Sequence, residues 1–118
     1  MEEIKGSRKD MIANNLTPAI AVHPGEIIRD ELESRRISQR KLARTISVSP
    51  TIINELLQGK RQLNTELALL ISAALGIDAE PLIELQTRYN IYQAKRDEEF
   101  QARLMNIANT RNAAISLA

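Results

Sequence analysis

Cysteine is absent from this chain of 118 residues, tryptophan is absent too, and the aromatic residues amount to one phenylalanine and two tyrosines. Without cysteine there is no disulfide framework, no thiolate metal site and no cysteine nucleophile, as is typical of a reducing compartment. With so few aromatic side chains the core must be built from leucine, isoleucine and alanine, which favours packed helices over a sheet. We therefore expect an all-α, cytoplasmic protein.

Long apolar runs and catalytic patterns are also missing. No stretch of about 18 consecutive apolar residues occurs, so we expect neither a signal segment nor a membrane span. The four glycines are scattered, which excludes a glycine-rich phosphate loop, and the single histidine, His23, has no second histidine at metal-ligand spacing. No Ser/His/Asp arrangement is visible. We predict a protein that is not an enzyme, with no catalytic residue, cofactor, metal site or small-molecule substrate.

Residues 38–59 contain the most informative pattern, two short amphipathic helices separated by a tight turn. Ser38 and Ser49 are suited to cap the two helices, Pro50 fits the first position of the second helix, and Gly59 is placed to end it. Any two packed helices could share this spacing. A capped helix, a short turn and a second helix with a short-polar outer face also match the DNA-reading helix-turn-helix.

Charge distinguishes these two interpretations. From residue 35 to residue 63 the chain has seven basic residues and one acidic residue, a net charge of +6 in a chain whose total is +1. A run of charge often marks only a solvated surface. Here the cations bracket the second helix within an otherwise acidic chain, as expected for contacts with DNA phosphates. The basic residues are Arg35, Arg36, Arg40, Lys41, Arg44, Lys60 and Arg61.

At these positions the sequence resembles a known family. Residues 38–59 are similar to the Xre/Cro-type helix-turn-helix of the phage-repressor-like fold. Residues 23–32 (HPGEIIRDEL) are similar to the opening helix motif of the HigA/VapI antitoxins, and residues 74–76 and 85–94 are similar to later segments of that family. The likeness covers about residues 22–96, with several motifs in the expected order.

The resemblance implies a function and two kinds of partner. It implies an antitoxin of a type II toxin–antitoxin pair, which represses its own operon and neutralises a HigB-like ribonuclease toxin. Its DNA partner would be a palindromic operator bound by a homodimer. One alternative is a plain Xre-type transcriptional repressor without a toxin partner. Another is a protein-interaction module that keeps the helix-turn-helix shape but reads no DNA, for which the acidic Glu55 is the only support.

The family resemblance also assigns contacts with the DNA backbone. Gln39, at the start of the first helix of the motif, matches a position that clamps a phosphate, aided by the helix N-terminus. Arg40 can add charge at the same place. The loop after the second helix lies along the sugar–phosphate backbone in Xre-like proteins, and Lys60 and Arg61 are suited to that role.

Base contacts are assigned to the second helix of the motif. Asn54 is close enough to reach backbone or base, and a threonine can hydrogen bond a base or touch a thymine methyl. Glu55 stands where a basic or amide residue is common in the family, so it either accepts a hydrogen bond from cytosine N4 or weakens DNA binding. The residues that match base-edge positions are Ser49, Pro50, Thr51 and Glu55.

Three segments are expected along the chain. Residues 1–22 predict an N-terminal arm whose apolar end either packs over the core or clips onto a second subunit or the toxin. Residues 23–94 predict a five-helix phage-repressor-like helix-turn-helix domain. Residues 95–118 predict an additional C-terminal helix, which is amphipathic and either packs on its own domain, pairs with a second subunit or docks into the toxin.

Helix ends and core positions within the five-helix domain follow from the same pattern. The first helix is predicted from about Pro24 to Arg35, with Ile27, Ile28 and Leu32 buried. Asn64 and Asp78 are predicted to cap the fourth and fifth helices, and Ser47 to adopt a left-handed turn conformation. The core positions predicted on the fourth helix are Leu67, Leu70, Ile71, Ala74 and Leu75.

Overall fold

The structure is a computed structural model that describes residues 21–117, with side chains described for residues 21–114. Within this part of the chain the fold is entirely helical and has no strand, which confirms the predicted fold class. The arm predicted for residues 1–22 lies almost wholly outside the described residues. The helices are α1 (Pro24–Arg35), α2 (Gln39–Thr45), α3 (Pro50–Leu57), α4 (Thr65–Leu75), α5 (Ala79–Arg96) and α6 (Glu98–Leu117).

Polar side chains begin the helices largely as predicted. Ser38, Ser49 and Asn64 each accept a hydrogen bond from a first-turn backbone N–H, at 3.0, 3.2 and 2.8 Å, and so cap α2, α3 and α4. Gly76 ends α4 in the left-handed conformation, with φ of +69°. Asp78 occupies the N-cap position of α5, but its side chain makes no capping hydrogen bond, so that part of the prediction was wrong.

One apolar core joins α1 to α5. The middle helix, α3, contacts both α1 and α2, while α4 packs against α5 and α2. Ile27, Leu70 and Ala74 were predicted in this core and are exposed instead. On α1 the buried face is formed by Ile28 and Leu32, and on α4 the inward stripe is narrower than predicted and includes the fully buried Ala68. The buried apolar residues are Ile28, Leu32, Leu42, Ala43, Ile46, Ile53, Leu56, Leu57, Leu63, Leu67, Ala68, Ile71, Leu75, Ala79 and Leu82.

Gly25 determines how closely α1 approaches α3. From the sequence this glycine is explained by its place at a helix start, and the structure adds a stronger reason. A Cβ at position 25 would lie 2.0 Å from the backbone carbonyl oxygen of Leu56, well inside any allowed contact. The N-terminus of α1 therefore rests directly on the backbone of the last turn of α3.

The C-terminal helix α6 packs on α5. It begins after Asp97, whose side chain accepts a hydrogen bond from the Phe100 N–H at 3.2 Å. The apolar residues of this amphipathic helix remain substantially exposed, at 37% for Phe100, 40% for Leu104 and 62% for Ile107. The predicted helix is present, and much of its apolar surface is left uncovered by the described part of the chain.

The turn between α2 and α3 passes through a left-handed residue, as predicted. Ser47 has φ of +58°, and the next residue, Val48, donates its backbone N–H to the carbonyl of Ala43 at 2.9 Å. A residue with a Cβ pays about 1 kcal/mol in this conformation. The turn sets the angle at which α3 leaves α2, so a strained serine lies at the joint of the helix-turn-helix.

Replacing this serine by glycine should stabilise the protein. Ser47→Gly removes the steric cost of a Cβ at positive φ. We expect the free energy of unfolding to increase by at most about 1 kcal/mol, which raises the midpoint of thermal unfolding by a few degrees. The matched control is Ser34→Gly, at an exposed position inside α1, where glycine should destabilise by a similar amount. A lower melting temperature for Ser47→Gly in differential scanning calorimetry would contradict the prediction.

Candidate nucleic-acid interface

The outer face of α3 carries the residues that the sequence assigns to base contacts. Ser49, Pro50, Thr51 and Asn54 are exposed, and Glu55 is partly exposed. The apolar residues Ile53, Leu56 and Leu57 occupy the opposite face and are buried, so α3 is amphipathic with its short polar side chains toward solvent. This face is short and has small side chains, a shape that the major groove of DNA admits.

The first turn of α2 lies beside this face. Gln39 and Arg40 line one shallow depression together with Pro50, Thr51 and Asn54. The structure therefore brings together five of the nine residues predicted from the sequence, from two different helices. Ser49 has a second task, since its hydroxyl oxygen accepts the cap hydrogen bond from the Thr51 N–H, which leaves its own proton free to donate.

Further along α3, toward the loop that follows it, two of the predicted DNA-contacting residues contact each other. Arg61 donates from Nε and Nη2 to the same carboxylate oxygen of Glu55, at 3.0 and 2.8 Å. Both side chains are about two-fifths exposed. The sequence treats Glu55 as a lone acid beside DNA and Arg61 as a free cation, whereas the structure joins them in an ion pair that bridges α3 and the loop after it.

Not every cation of the basic stretch belongs to this surface. Arg35 forms an ion pair with Glu31 at 3.0 Å and also donates from Nη1 to the carbonyl of Leu75 at the end of α4. Arg29, on the same helix, donates to the carbonyl of Leu57 at the end of α3, at 3.2 Å. Arginines at helix C-termini satisfy free carbonyl groups and oppose the negative end of the helix dipole. Arg35 is therefore a structural residue.

The loop after α3, residues 58–63, is held in place by α5. The buried Gln86 accepts the Leu63 N–H on its side-chain oxygen at 2.7 Å and donates to the Asn90 side chain at 2.9 Å. Asn90 in turn donates to Gln62 at 3.4 Å. This role of Gln86 was not predicted from the sequence. The one signal for it is that Gln86 is a polar residue about two turns into the amphipathic helix α5.

His23 holds the same loop from the opposite side. Its Nδ1 accepts the Gly25 N–H at 2.9 Å and caps α1, while the ring lies edge-on to Tyr89 of α5 with centroids 4.9 Å apart. The ring also lies against Gly59, where a Cβ would stand 3.7 Å from His23 Cγ. The imidazole is 4% exposed, and its burial lowers the pKa below the usual 6.5, an effect that the Arg61 backbone and Glu26 partly offset.

Comparison with known proteins places this arrangement in a family. The helix-turn-helix family model matches residues 28–82. Virulence-associated protein I of Dichelobacter nodosus is 36% identical over 80 residues, which are 67% of this chain and 74% of that protein. The chain belongs to the HigA/VapI-type Xre/Cro helix-turn-helix family. This is a family of DNA-binding regulators and antitoxins rather than of enzymes.

Solved structures with the HigA fold are similar to this one. The antitoxin HigA of Pseudomonas aeruginosa, solved with the higBA promoter, is 30% identical, has a TM-score of 0.64, and the match covers 70% of this chain and 90% of that one. An addiction module antidote protein of the HigA family from Coxiella burnetii is 26% identical with a TM-score of 0.64, covering 72% and 94%. The HigA-type domain therefore accounts for most of the described helices.

The described part of this HigA/VapI-type chain contains neither a metal-binding group of side chains nor a membrane-spanning helix. Within the side chains described, no group of three or more histidine, cysteine, aspartate or glutamate residues could hold a metal ion. Among the described residues no helix combines the length and the apolar character needed to cross a membrane.

The capping role of His23 makes stability depend on pH. The folded state has the lowered pKa, so between that pKa and 6.5 the unfolded chain binds more protons than the folded one. We expect the free energy of unfolding to fall as the pH drops from about 7.5 to about 5.5, since a protonated Nδ1 cannot accept the Gly25 N–H. Urea unfolding across this range measures the effect.

His23→Asn is the control for this pH dependence, because asparagine can still cap α1 but does not titrate. The variant should be less stable than the parent at pH 7.5, since it loses the packing against Tyr89, and its stability should change less between pH 7.5 and 5.5. An equal slope in the two proteins would assign the pH dependence to other groups.

Proposed function

We propose that this protein is a sequence-specific DNA-binding antitoxin that represses its own operon and neutralises a HigB-like ribonuclease toxin. The observation that carries the proposal is the exposed polar face of α3, flanked by Gln39 and Arg40 on one side and by the loop with Lys60 on the other. Membership of the HigA/VapI-type family supports it, as does the likeness to an antitoxin solved with its promoter.

In this proposal α3 enters the major groove of DNA. Thr51 and Asn54 reach base edges, with Ser49 and Pro50 at the start of the helix, where the backbone comes nearest the bases. Gln39 and Arg40 contact phosphate at the N-terminus of α2, where free backbone N–H groups also favour an anion. Lys60 contacts the backbone from the loop, which Gln86 and His23 hold against the domain.

The unit that binds DNA is proposed to be a homodimer on a palindromic operator. One α3 helix offers only a few short polar side chains, too few for a unique site. Two copies related by a two-fold axis would place their α3 helices in successive major grooves, about 34 Å apart. The operator would then contain two half-sites centred one helical turn apart.

Two substitutions separate phosphate contacts from base contacts. Lys60→Ala should weaken binding to every duplex by a similar factor and flatten the dependence of log affinity on log salt by about one unit. Thr51→Ala should instead change the preferred sequence, by about 1–3 kcal/mol at one base pair of each half-site. Fluorescence anisotropy with the duplex upstream of the protein's own gene, at several salt concentrations, measures both.

Lys95→Ala is the matched control, since Lys95 is an exposed cation at the far end of α5. It should leave both the affinity and the salt dependence unchanged. If the parent protein shows no preference for the upstream duplex over an unrelated one, the proposed DNA-binding function is wrong. Equal and uniform losses in the Lys60 and Thr51 variants would show that the two roles have been misassigned.

The proposed toxin partner is tested separately. The protein should co-purify at a fixed ratio with the product of a small basic reading frame beside its gene, and co-expression should restore growth that this product alone arrests. If the neighbouring product neither co-purifies nor is neutralised while the upstream duplex is still bound, the protein is a plain Xre-type repressor.

A further inference from the structure

We infer that Arg61 reads a guanine in the major groove and that Glu55 is the positioning residue that aims it. The inference rests on the proposed DNA-binding function and deepens it. It changes the role of both residues from the one the sequence suggests. Arg61 becomes a base reader instead of a backbone clamp, and Glu55 acts through Arg61 instead of contacting cytosine.

The ion pair lies on the face of α3 that is proposed to contact bases. Glu55 lies one helical turn after Thr51, and residues four apart share a helix face. The carboxylate therefore lies on the side of α3 that carries the proposed base contacts. Because Arg61 is bound to it at 2.8 and 3.0 Å, the guanidinium is drawn from the loop to that same side.

The ion pair leaves several N–H donors of Arg61 free. Nε and one Nη2 proton are used on a single carboxylate oxygen of Glu55. A guanidinium has five N–H donors, so both Nη1 protons and the second Nη2 proton remain available. The free edge is a two-pronged donor, which matches the O6 and N7 acceptors that guanine presents in the major groove, the commonest specific contact of arginine with DNA.

Separating the ion pair beside DNA would be electrostatically unfavourable. If Arg61 left the pair to clamp a phosphate, the Glu55 carboxylate would remain alone beside the polyanion, where it is repelled and loses hydration. While the ion pair is kept, its net charge is zero and the carboxylate keeps its hydrogen-bond donors. Arg61 therefore binds DNA most favourably without releasing Glu55. Because Glu55 lies in the groove, the intact pair holds the guanidinium near the bases.

The Arg61 side chain is already restricted before DNA binds. A free arginine side chain loses about 2 kcal/mol of rotamer entropy when it is fixed. Here Glu55 already holds the guanidinium, and Arg61 lines one shallow groove with the partly buried Val48 and Ile52, which restricts its aliphatic stem. Part of the ordering cost is met before DNA binds, which favours a specific contact over a diffuse one.

The experiment uses the full-length protein and duplexes that it selects from a randomised pool. In the selected duplex each guanine is replaced in turn by 7-deazaguanine, which keeps base pairing but lacks the N7 acceptor. We expect one guanine in each half-site at which this replacement weakens binding of the parent protein about 5- to 150-fold, the range of a bidentate arginine contact. If the pool yields no preferred sequence, the proposed function itself fails.

Arg61→Ala and Glu55→Ala then test the two roles. Arg61→Ala removes every side-chain donor that could reach N7, so it should bind the unmodified and 7-deaza duplexes equally. Glu55→Ala should lose most of the discrimination at the same guanine, and the double variant should lose no more than Arg61→Ala alone. Lys60→Ala, the control, should discriminate like the parent.

Several results would overturn the inference while the proposed function stands. If every 7-deaza replacement is harmless in the parent, or if Arg61→Ala still discriminates between the unmodified and 7-deaza duplexes, Arg61 does not read N7. If Arg61→Ala lowers affinity uniformly and flattens the salt dependence like Lys60→Ala, Arg61 is a backbone clamp. If Glu55→Ala loses discrimination at a G·C pair while the Arg61 variant keeps it, Glu55 reads cytosine directly. Circular dichroism melting verifies that these exposed substitutions leave the fold intact.

Discussion

The close approach of α1 to α3 is the constraint on which the rest of the domain depends. Because position 25 has no Cβ, the start of α1 can rest on the Leu56 carbonyl, and the last turn of α3 is fixed there. Arg29, one turn along α1, donates to the carbonyl of the following residue, Leu57. The helix that carries the polar outer face is thus held from behind by contacts to its backbone, and on that face Ser49, which caps α3, has a structural role. A precise recognition surface needs this kind of rigid support.

The loop after α3 is held by the same logic and joins the scaffold to the surface. His23 caps α1 and packs against Gly59, and Gln86 binds the Leu63 N–H from α5, so both ends of the loop are fixed to different helices. Between these anchors the loop presents Lys60 and Arg61 to solvent. Cations held at fixed positions can contact particular groups of a ligand, whereas cations on an unrestrained loop would give mainly non-specific attraction to a polyanion. The buried His23 and Gln86 therefore contribute to the surface without lying on it.

Local signals explain what could be predicted from the sequence. Caps such as Ser38 and Asn64, the proline at the start of α3 and the left-handed Ser47 depend on near neighbours in the chain, so helix order and the bounds of α1 could be predicted closely. Contacts between residues far apart in the chain could not. The burial of Gln86, the task of Arg35 at the end of α4 and the pairing of Glu55 with Arg61 depend on which helices meet. A list of polar residues in sequence contains no information on that.

The ion pair and the structural arginines change what the basic stretch means for binding. Arg35 is engaged at a helix end, and the charge of Arg61 is offset by Glu55, so the surface attracts DNA less strongly than the sequence total of +6 suggests. Non-specific affinity rises with the number of phosphates neutralised, whereas base contacts act only at the right sequence. Neutralising a cation near the bases with an acidic partner therefore lowers the affinity for non-specific DNA more than the affinity for the specific site, provided that the cation still donates to a base. If Arg61 reads a base as inferred, an acidic residue at position 55 lowers raw affinity but raises the ratio between specific and non-specific binding. That ratio determines whether an operator is found among competing sites.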